Sequence, residues 1–221
     1  MKHLAIIMDG NRRWATNKGL PTLEGHLRGY DNVKKIGLAA LERGVEFFTV
    51  YAFSIENWKR SEEEVGYLMG LLLRALTKDL SFFIEHDVRL KVIGRRQGLS
   101  EKIVSAIDEA EEKTSHGTAG QINLCVNYGG RAEIVDGVKK VIEGGQEVTE
   151  ENVSGAIWGS DMPEPDMIVR TSGERRLSGF LTWTGVYSEL KFVDKMWPDF
   201  SEEDLDECVE DFGKRQRRFG K

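Results

Sequence analysis

The chain is poor in cysteine. Cys125 and Cys208 are too few for a disulfide framework, and neither stands in a CxxC or Cys/His spacing that would hold zinc. Long apolar runs are also missing. The longest, "YLMGLLLRAL" at 67–76, falls well short of the roughly 18 residues a membrane span needs, and the apolar core of "MKHLAIIMDGN" is too short for a signal peptide. Both absences point to a reducing, cytoplasmic setting. Nor is there an excess of positive charge: 31 Lys and Arg stand against 37 Asp and Glu, for a formal net charge of -6 and a pI near 5.4. That balance argues against a nucleic-acid partner held on a broad basic face, so any polyanion must be met locally. No Pro/Gly/Ser-rich linker, charge block or internal repeat divides the 221 residues, which predicts one domain over 1–221. Walker A, GxGxxG and HExxH patterns are absent too.

What is present is a rhythm. Short β-rich runs at 4–8, 47–53, 89–94, 121–128, 166–172 and 189–194 alternate with helical patterns at 25–43, 62–86, 100–115, 131–143, 150–158 and 201–216. Strand, helix, strand in this order predicts an α/β fold with a mostly parallel sheet of about six strands flanked by helices. In such sheets ligands settle beyond the carboxyl ends of the strands. Three post-strand segments qualify: Asp9, Gly10, Asn11, Arg12 and Arg13; then Ser54, Asn57, Trp58 and Arg60; then Arg170, Arg175, Arg176 and Ser178. Alone, each reads as well as a turn or a solvated face. Together they put arginine forks, glycine and a helix start near Asn11 at one sheet edge, which suits phosphate groups. Asp9 beside them can hold Mg²⁺, an ion that takes one or two carboxylates and leaves its other positions to phosphates and water.

Six blocks in order, "HLAIIMDGNRRWA", "GHLRG", "TVYAFSIENWKRS", "VNYGGRAEI", "IVRTSGERRLSGFLTW" and "YSELKFVDKMWPDF", resemble the successive signatures of the cis-prenyltransferases, the undecaprenyl diphosphate synthase family. The resemblance covers essentially the whole chain. It implies a hydrophobic tunnel, a homodimer and Mg²⁺-dependent condensation of isopentenyl diphosphate with an allylic diphosphate, giving a lipid product and, through it, peripheral membrane association. By similarity, Gly10, Asn11, Arg12, Arg13, Trp14, Ser54 and Arg60 would meet the allylic diphosphate, and Arg170, Arg176 and Ser178 the isopentenyl diphosphate. Asp9 and Glu189 would be the metal-linked carboxylates, with Glu189 near the dimer interface, while His26 and Asn57 would assist diphosphate departure and proton removal. Without the resemblance, His26 reads as a helix-start histidine bonded to backbone.

Helical spacing at Val65, Leu68, Met69, Leu72, Leu73, Leu76, Leu80 and Phe83 makes a stripe wide enough for both core and tunnel. By periodicity alone it is a core helix, and the resemblance makes it a tunnel wall. Ala52 is small where a bulky residue would block such a tunnel. Three positions depart from the family pattern: Thr22 for an arginine, Gly179 for an asparagine and Thr184 for a glutamine. They place the alteration on the allylic side and leave room for a short primer, a non-head-to-tail product or another acceptor. A non-catalytic scaffold subunit is the rival from another class, weighed down by the retained Asp9, Asn11, Arg13, Arg170, Arg176 and Glu189. An all-helical trans-type synthase lacks support because no DDxxD pair occurs. The ending "RRFG", with Arg218 and Gly220, resembles a tail that reaches into a partner's site.

Overall fold

Most strands are runs of apolar residues without clean alternation, as expected where both faces of a sheet are covered, while the two edge strands, "VRLKVI" and "ELKF", alternate apolar with charged residues. In the computed structural model, which describes residues 1–215, the strands are β1 (His3–Ile7), β2 (Phe47–Ser54), β3 (Val88–Ile93), β4 (Gly120–Tyr128), β5 (Met167–Arg170) and β6 (Glu189–Phe192). All six form one sheet in the order β3-β4-β2-β1-β5-β6, every neighbouring pair parallel. Every residue of β1 and β4 is buried. Chain order reverses at β1, which lies between β2 and β5, so a crevice opens past its carboxyl end, where Asp9 stands.

Eight helices cover the sheet among the described residues: α1 (Asn11–Asn17), α2 (Thr22–Glu42), α3 (Glu62–Leu76), α4 (Leu80–Glu85), α5 (Glu101–Thr114), α6 (Gly130–Glu143), α7 (Glu150–Ala156) and α8 (Glu202–Lys214). Their starts follow local chemistry. Ser61, Ser100, Thr149 and Ser201 each accept a hydrogen bond from the backbone N–H three residues on, capping α3, α5, α7 and α8. One expectation needs correction: the pattern at 62–86 is not one helix, because the chain turns at Thr77–Asp79 and restarts as α4. Tertiary pull outweighs periodicity there, as the Asp79 carboxylate is drawn to Lys34 and Tyr30 of α2.

One core cluster fills the space between the sheet and α2, α3, α4, α5 and α8, built on Phe48, Phe83, Ile107, Ile122 and Trp197. A second, with Ile7, Cys125, Tyr128, Ile168 and Phe180, covers the other face. Among the described residues no helix is long and apolar enough to cross a membrane.

Candidate active site

Past β1 the chain turns on Gly10 at φ 103, a left-handed conformation, and a Cβ there would lie 2.9 Å from Met196 Cβ. Glycine is required on both counts. The turn folds Asp9 back so that its Oδ1 accepts from Gly10 N–H at 2.8 Å, while Oδ2 accepts from Arg170 at 2.9 Å. Arg170 ends β5, directly beside Ile7 in register, which brings two segments 161 residues apart into one ion pair. Its side chain is only 5% exposed and also donates to Ser178 Oγ at 2.8 Å and to the Arg176 carbonyl, leaving Nε buried without a partner. Arg13, one turn into α1, hydrogen-bonds Ser172 Oγ and lies 3.6 Å from Glu174 and 3.9 Å from Asp9.

A second cluster stands across the crevice. The "GHLRG" spacing puts Gly25 and Gly29 under Asn11, and a Cβ on Gly29 would come 2.5 Å from Asn11 Oδ1. So α1 rests directly on α2, with His26 between the two glycines. His26 is buried and bonds the Glu64 carboxylate at 2.9 Å, not backbone. The same Glu64 oxygen accepts from Arg60 at 2.9 Å, and Arg12 lies 3.9 Å from the other. Burial is the largest influence on His26 and lowers its pKa despite Glu64, so the ring is neutral near pH 7. Burial by itself would raise the Glu64 carboxyl, but the His26 hydrogen bond and the Arg60 and Arg12 charges hold it below the usual carboxylate range. Glu64 is the organiser that sequence reading missed. Its signal was the Ser61-x-x-Glu64 spacing of a helix start, which explains the capping of α3 but not the side chain's reach to α2.

Two cavities meet at this point. The first, about 400 Å³, has a polar mouth at Gly10, Asn11, Arg13, His26 and Arg60 and then runs on between Val33, Ala52, Leu68, Leu72 and Phe83. The predicted stripe therefore divides, with Leu68, Met69 and Leu72 facing the cavity and Leu76 and Leu80 held in the core. The second cavity, about 920 Å³, is lined by Ser54, Arg95, Arg131, Arg170 and Ser178. Met8, Asp9, Tyr51, Asn57 and Arg60 belong to both. Asn57 is held there because Ser54 N–H donates to its Oδ1 at 3.0 Å, inside the short 3₁₀ turn Ile55–Lys59.

Other predicted residues fall outside this assembly. Trp14 is buried and lines neither cavity. The Arg176 side chain is exposed and turned onto Glu174, contributing only its carbonyl to Arg170. Glu189 pairs in register with Met167, and Met167 with Leu4, so it lies at the opposite end of the strands, five residues or about 17 Å from Asp9 along the sheet. It is bound to Arg215 at 2.6 Å. Thr22 begins α2, one turn before His26, and lines neither cavity. Gly179, read as an alteration on the allylic side, instead lines the arginine-rich cavity beside Ser178, while Thr184 lines neither. Arg218 and Gly220 lie outside the described residues.

Replacing Glu64 by Gln keeps its shape and capping position but removes the charge that holds His26 and Arg60. We expect kcat to fall ten- to a hundredfold, the scale of one charged hydrogen bond, with the melting temperature moved by only a few degrees. Unchanged kcat and KM would reduce Glu64 to a strut between α2 and α3.

A family model described as "Putative undecaprenyl diphosphate synthase" matches residues 7–220. An isoprenyl transferase of Neisseria meningitidis is 44% identical over 221 residues, covering 100% of this chain and 89% of the relative. The ditrans,polycis-undecaprenyl-diphosphate synthase ((2E,6E)-farnesyl-diphosphate specific) of Micrococcus luteus is 44% identical over 226 residues, covering 99% of this chain and 91% of the relative. Among solved structures, lavandulyl diphosphate synthase from Lavandula x intermedia in complex with dimethylallyl diphosphate superposes with a TM-score of 0.94 at 32% identity, covering 100% of this chain and 98% of that one. With the parallel sheet, the aspartate after β1 and the paired cavities in place, the chain belongs to the undecaprenyl diphosphate synthase family of cis-prenyltransferases.

Proposed function

We propose that this protein condenses isopentenyl diphosphate with an allylic diphosphate, lengthening a prenyl chain by cis units, and that the two substrates meet at Asp9. The observation that carries this reading is the shared wall: an apolar cavity with a cationic mouth and an arginine-lined cavity have Asp9, Asn57 and Arg60 in common. A prenyl tail suits the first and a second diphosphate the other. In the reaction the allylic C–O bond breaks and diphosphate leaves. The isopentenyl double bond attacks the allylic carbon, a C–C bond forms, and C2 of the isopentenyl unit loses a proton as the new double bond closes.

Negative charge grows on the departing diphosphate, so groups that are already in place near the mouth lower the barrier. Arg13, Arg12 and Arg60 supply guanidinium groups there, and the first turn of α1 supplies N–H groups with no intrahelical partner. Arg170 and Ser178 hold the isopentenyl diphosphate in the other cavity. With Nε2–H given to the Glu64 carboxylate, the neutral His26 ring keeps Nδ1 as a proton acceptor. That favours proton removal over proton donation for His26.

Magnesium fits Asp9 by donor chemistry. Its carboxylate is 31% exposed and each oxygen has one close partner, which leaves hard oxygen lone pairs toward the cavities. No group of three His, Cys, Asp or Glu that could hold a metal unaided occurs among the described residues, so substrate phosphates and water would complete the shell. Bound there, the ion would neutralise diphosphate charge. Glu189 reaches such a site only from a second chain. Supporting a homodimer, β6 is an edge strand, and Val186 and Tyr187 beside it are each 66% exposed. The setting proposed is the cytoplasm, with the lipid product drawing the enzyme to a membrane surface.

The test is incubation of the purified chain with Mg²⁺, labelled isopentenyl diphosphate and allylic diphosphates of increasing length, followed by mass spectrometry. Products longer than the primer by whole five-carbon units, lost on chelation, are the expected result. Absence of product with every primer would sink the reading and leave the scaffold role. The likeness to the lavandulyl diphosphate synthase, solved in complex with dimethylallyl diphosphate, favours one second reading, a one-unit primer and a short product, which the product masses distinguish.

A further inference from the structure

The depth of the apolar cavity can be measured along two elements. On α2 its lining runs from His26 at the mouth to Lys34, eight residues that rise about 12 Å. On β2 it runs from Phe53 down to Val50, three residues or about 10 Å. An isoprene unit advances roughly 4 to 5 Å through four bonds of about 1.5 Å, so no more than about three units fit in line. Below that depth the floor is packed core. Phe48 and Ile122, the next residues on the same faces of β2 and β4, are completely buried. A Cβ at Gly37 of α2 would lie 2.8 Å from Ile122 Cδ1, so the helix sits flush on the sheet.

The side wall is built differently. Tyr30 Oη and Lys34 Nζ each donate to Asp79 Oδ2 at 2.7 Å, and Arg74 lies 3.3 Å from the same carboxylate. Lys34 Nζ also sits 4.8 Å, and Arg74 Cζ 5.6 Å, from the centre of the Tyr30 ring. Tyr30 and Lys34 both line the cavity, and Asp79 stands at the break between α3 and α4. A polar seam thus closes one side of a space made for hydrocarbon. Leucine or methionine at these positions would close it without burying charge. What the seam offers is reversibility, since hydrogen-bonding groups that part can pair with water, whereas opening the apolar floor would leave a void.

We propose that the Tyr30–Lys34–Asp79 seam determines product length: the growing chain meets it by about the third isoprene unit, and further elongation requires α2 and the α3–α4 turn to part there. The proposal rests on the prenyl-transfer reading above. It is tested by calorimetric binding of allylic diphosphates with one to four isoprene units to the wild type and to Tyr30→Ala, Tyr30→Phe and Lys34→Met, with product lengths from mass spectrometry alongside. Wild-type affinity should rise at least tenfold per unit through the third and gain nothing at the fourth. Tyr30→Ala should restore the gain at the fourth unit and shift products longer by at least one unit, and the two milder variants should shift them in the same direction. A break that stays put in all three variants, or that moves only in a Phe48→Ala variant measured beside them, would assign length control to the floor and overturn the proposal. Binding needs no turnover, so a chain that bound the series but made no product would refute prenyl transfer while the seam was still judged on its break.

Discussion

Asp9→Ala is expected to lower turnover by about 10² or more, the scale of losing one preorganised charge-stabilising group, while the fold survives. Asp9 lines both cavities, and its carboxylate keeps 31% exposure, whereas Glu64, held behind His26, is buried. Its removal takes away the proposed oxygen donor for Mg²⁺ and the partner of Arg170 in one step. The loss should fall on kcat more than on the KM for either substrate, because developing charge is what the group stabilises. Asp9→Asn separates the two roles, as it keeps a hydrogen-bond acceptor for Arg170 but binds Mg²⁺ poorly. Steady-state rates with Mg²⁺ titration decide the matter. Activity near wild type with the same Mg²⁺ dependence would remove Asp9 from the metal site.

The second large effect belongs to Arg170. Its guanidinium holds Asp9, Ser178 and the Arg176 carbonyl at once, and almost none of it is exposed. Arg170→Ala should raise the KM for isopentenyl diphosphate ten- to a hundredfold, with a much smaller change for the allylic primer, since one charged hydrogen bond is worth about 1.5 to 3 kcal/mol. Stability should also drop by about 2 kcal/mol, less than for a fully buried pair because Asp9 retains access to water. Arg170→Lys keeps the charge but cannot span three acceptors, so it should recover stability more than affinity. A larger KM effect on the allylic primer would mean that the two cavities had been assigned to the wrong substrates.

Much of this arrangement was legible in the residues. Strand positions came through because fully buried parallel strands must be apolar along their length, and "LAII" and "INLCV" leave little choice. Asp9, Gly10 and Arg170 were visible because ligands gather past strand ends, and a glycine followed by arginines is costly to place there without a use. Glu64 was not visible, since its partner His26 lies 38 residues away and a Ser-x-x-Glu start is ordinary helix chemistry. The break at Thr77–Asp79 was hidden for the same reason: helical periodicity reports a local preference, and the attraction of Asp79 to Lys34 acts across 45 residues.

The sequence by itself determined the α/β class, the strand order along the chain, the family and the phosphate-seeking residue types, because these depend on local pattern and on residue chemistry. Only the tertiary structure decided which of those residues share a space. It turned Arg176 outward, buried Trp14, moved Gly179 to the arginine-rich cavity and set Glu189 at the far end of the strands from Asp9. The reason is geometric: parallel register brings Ile7 beside Arg170 but puts Leu4 and Met167 level with Glu189, and no local signal encodes that alignment. Packing of α2 against the sheet and against α3 then set the depth of the apolar cavity and the seam in its wall.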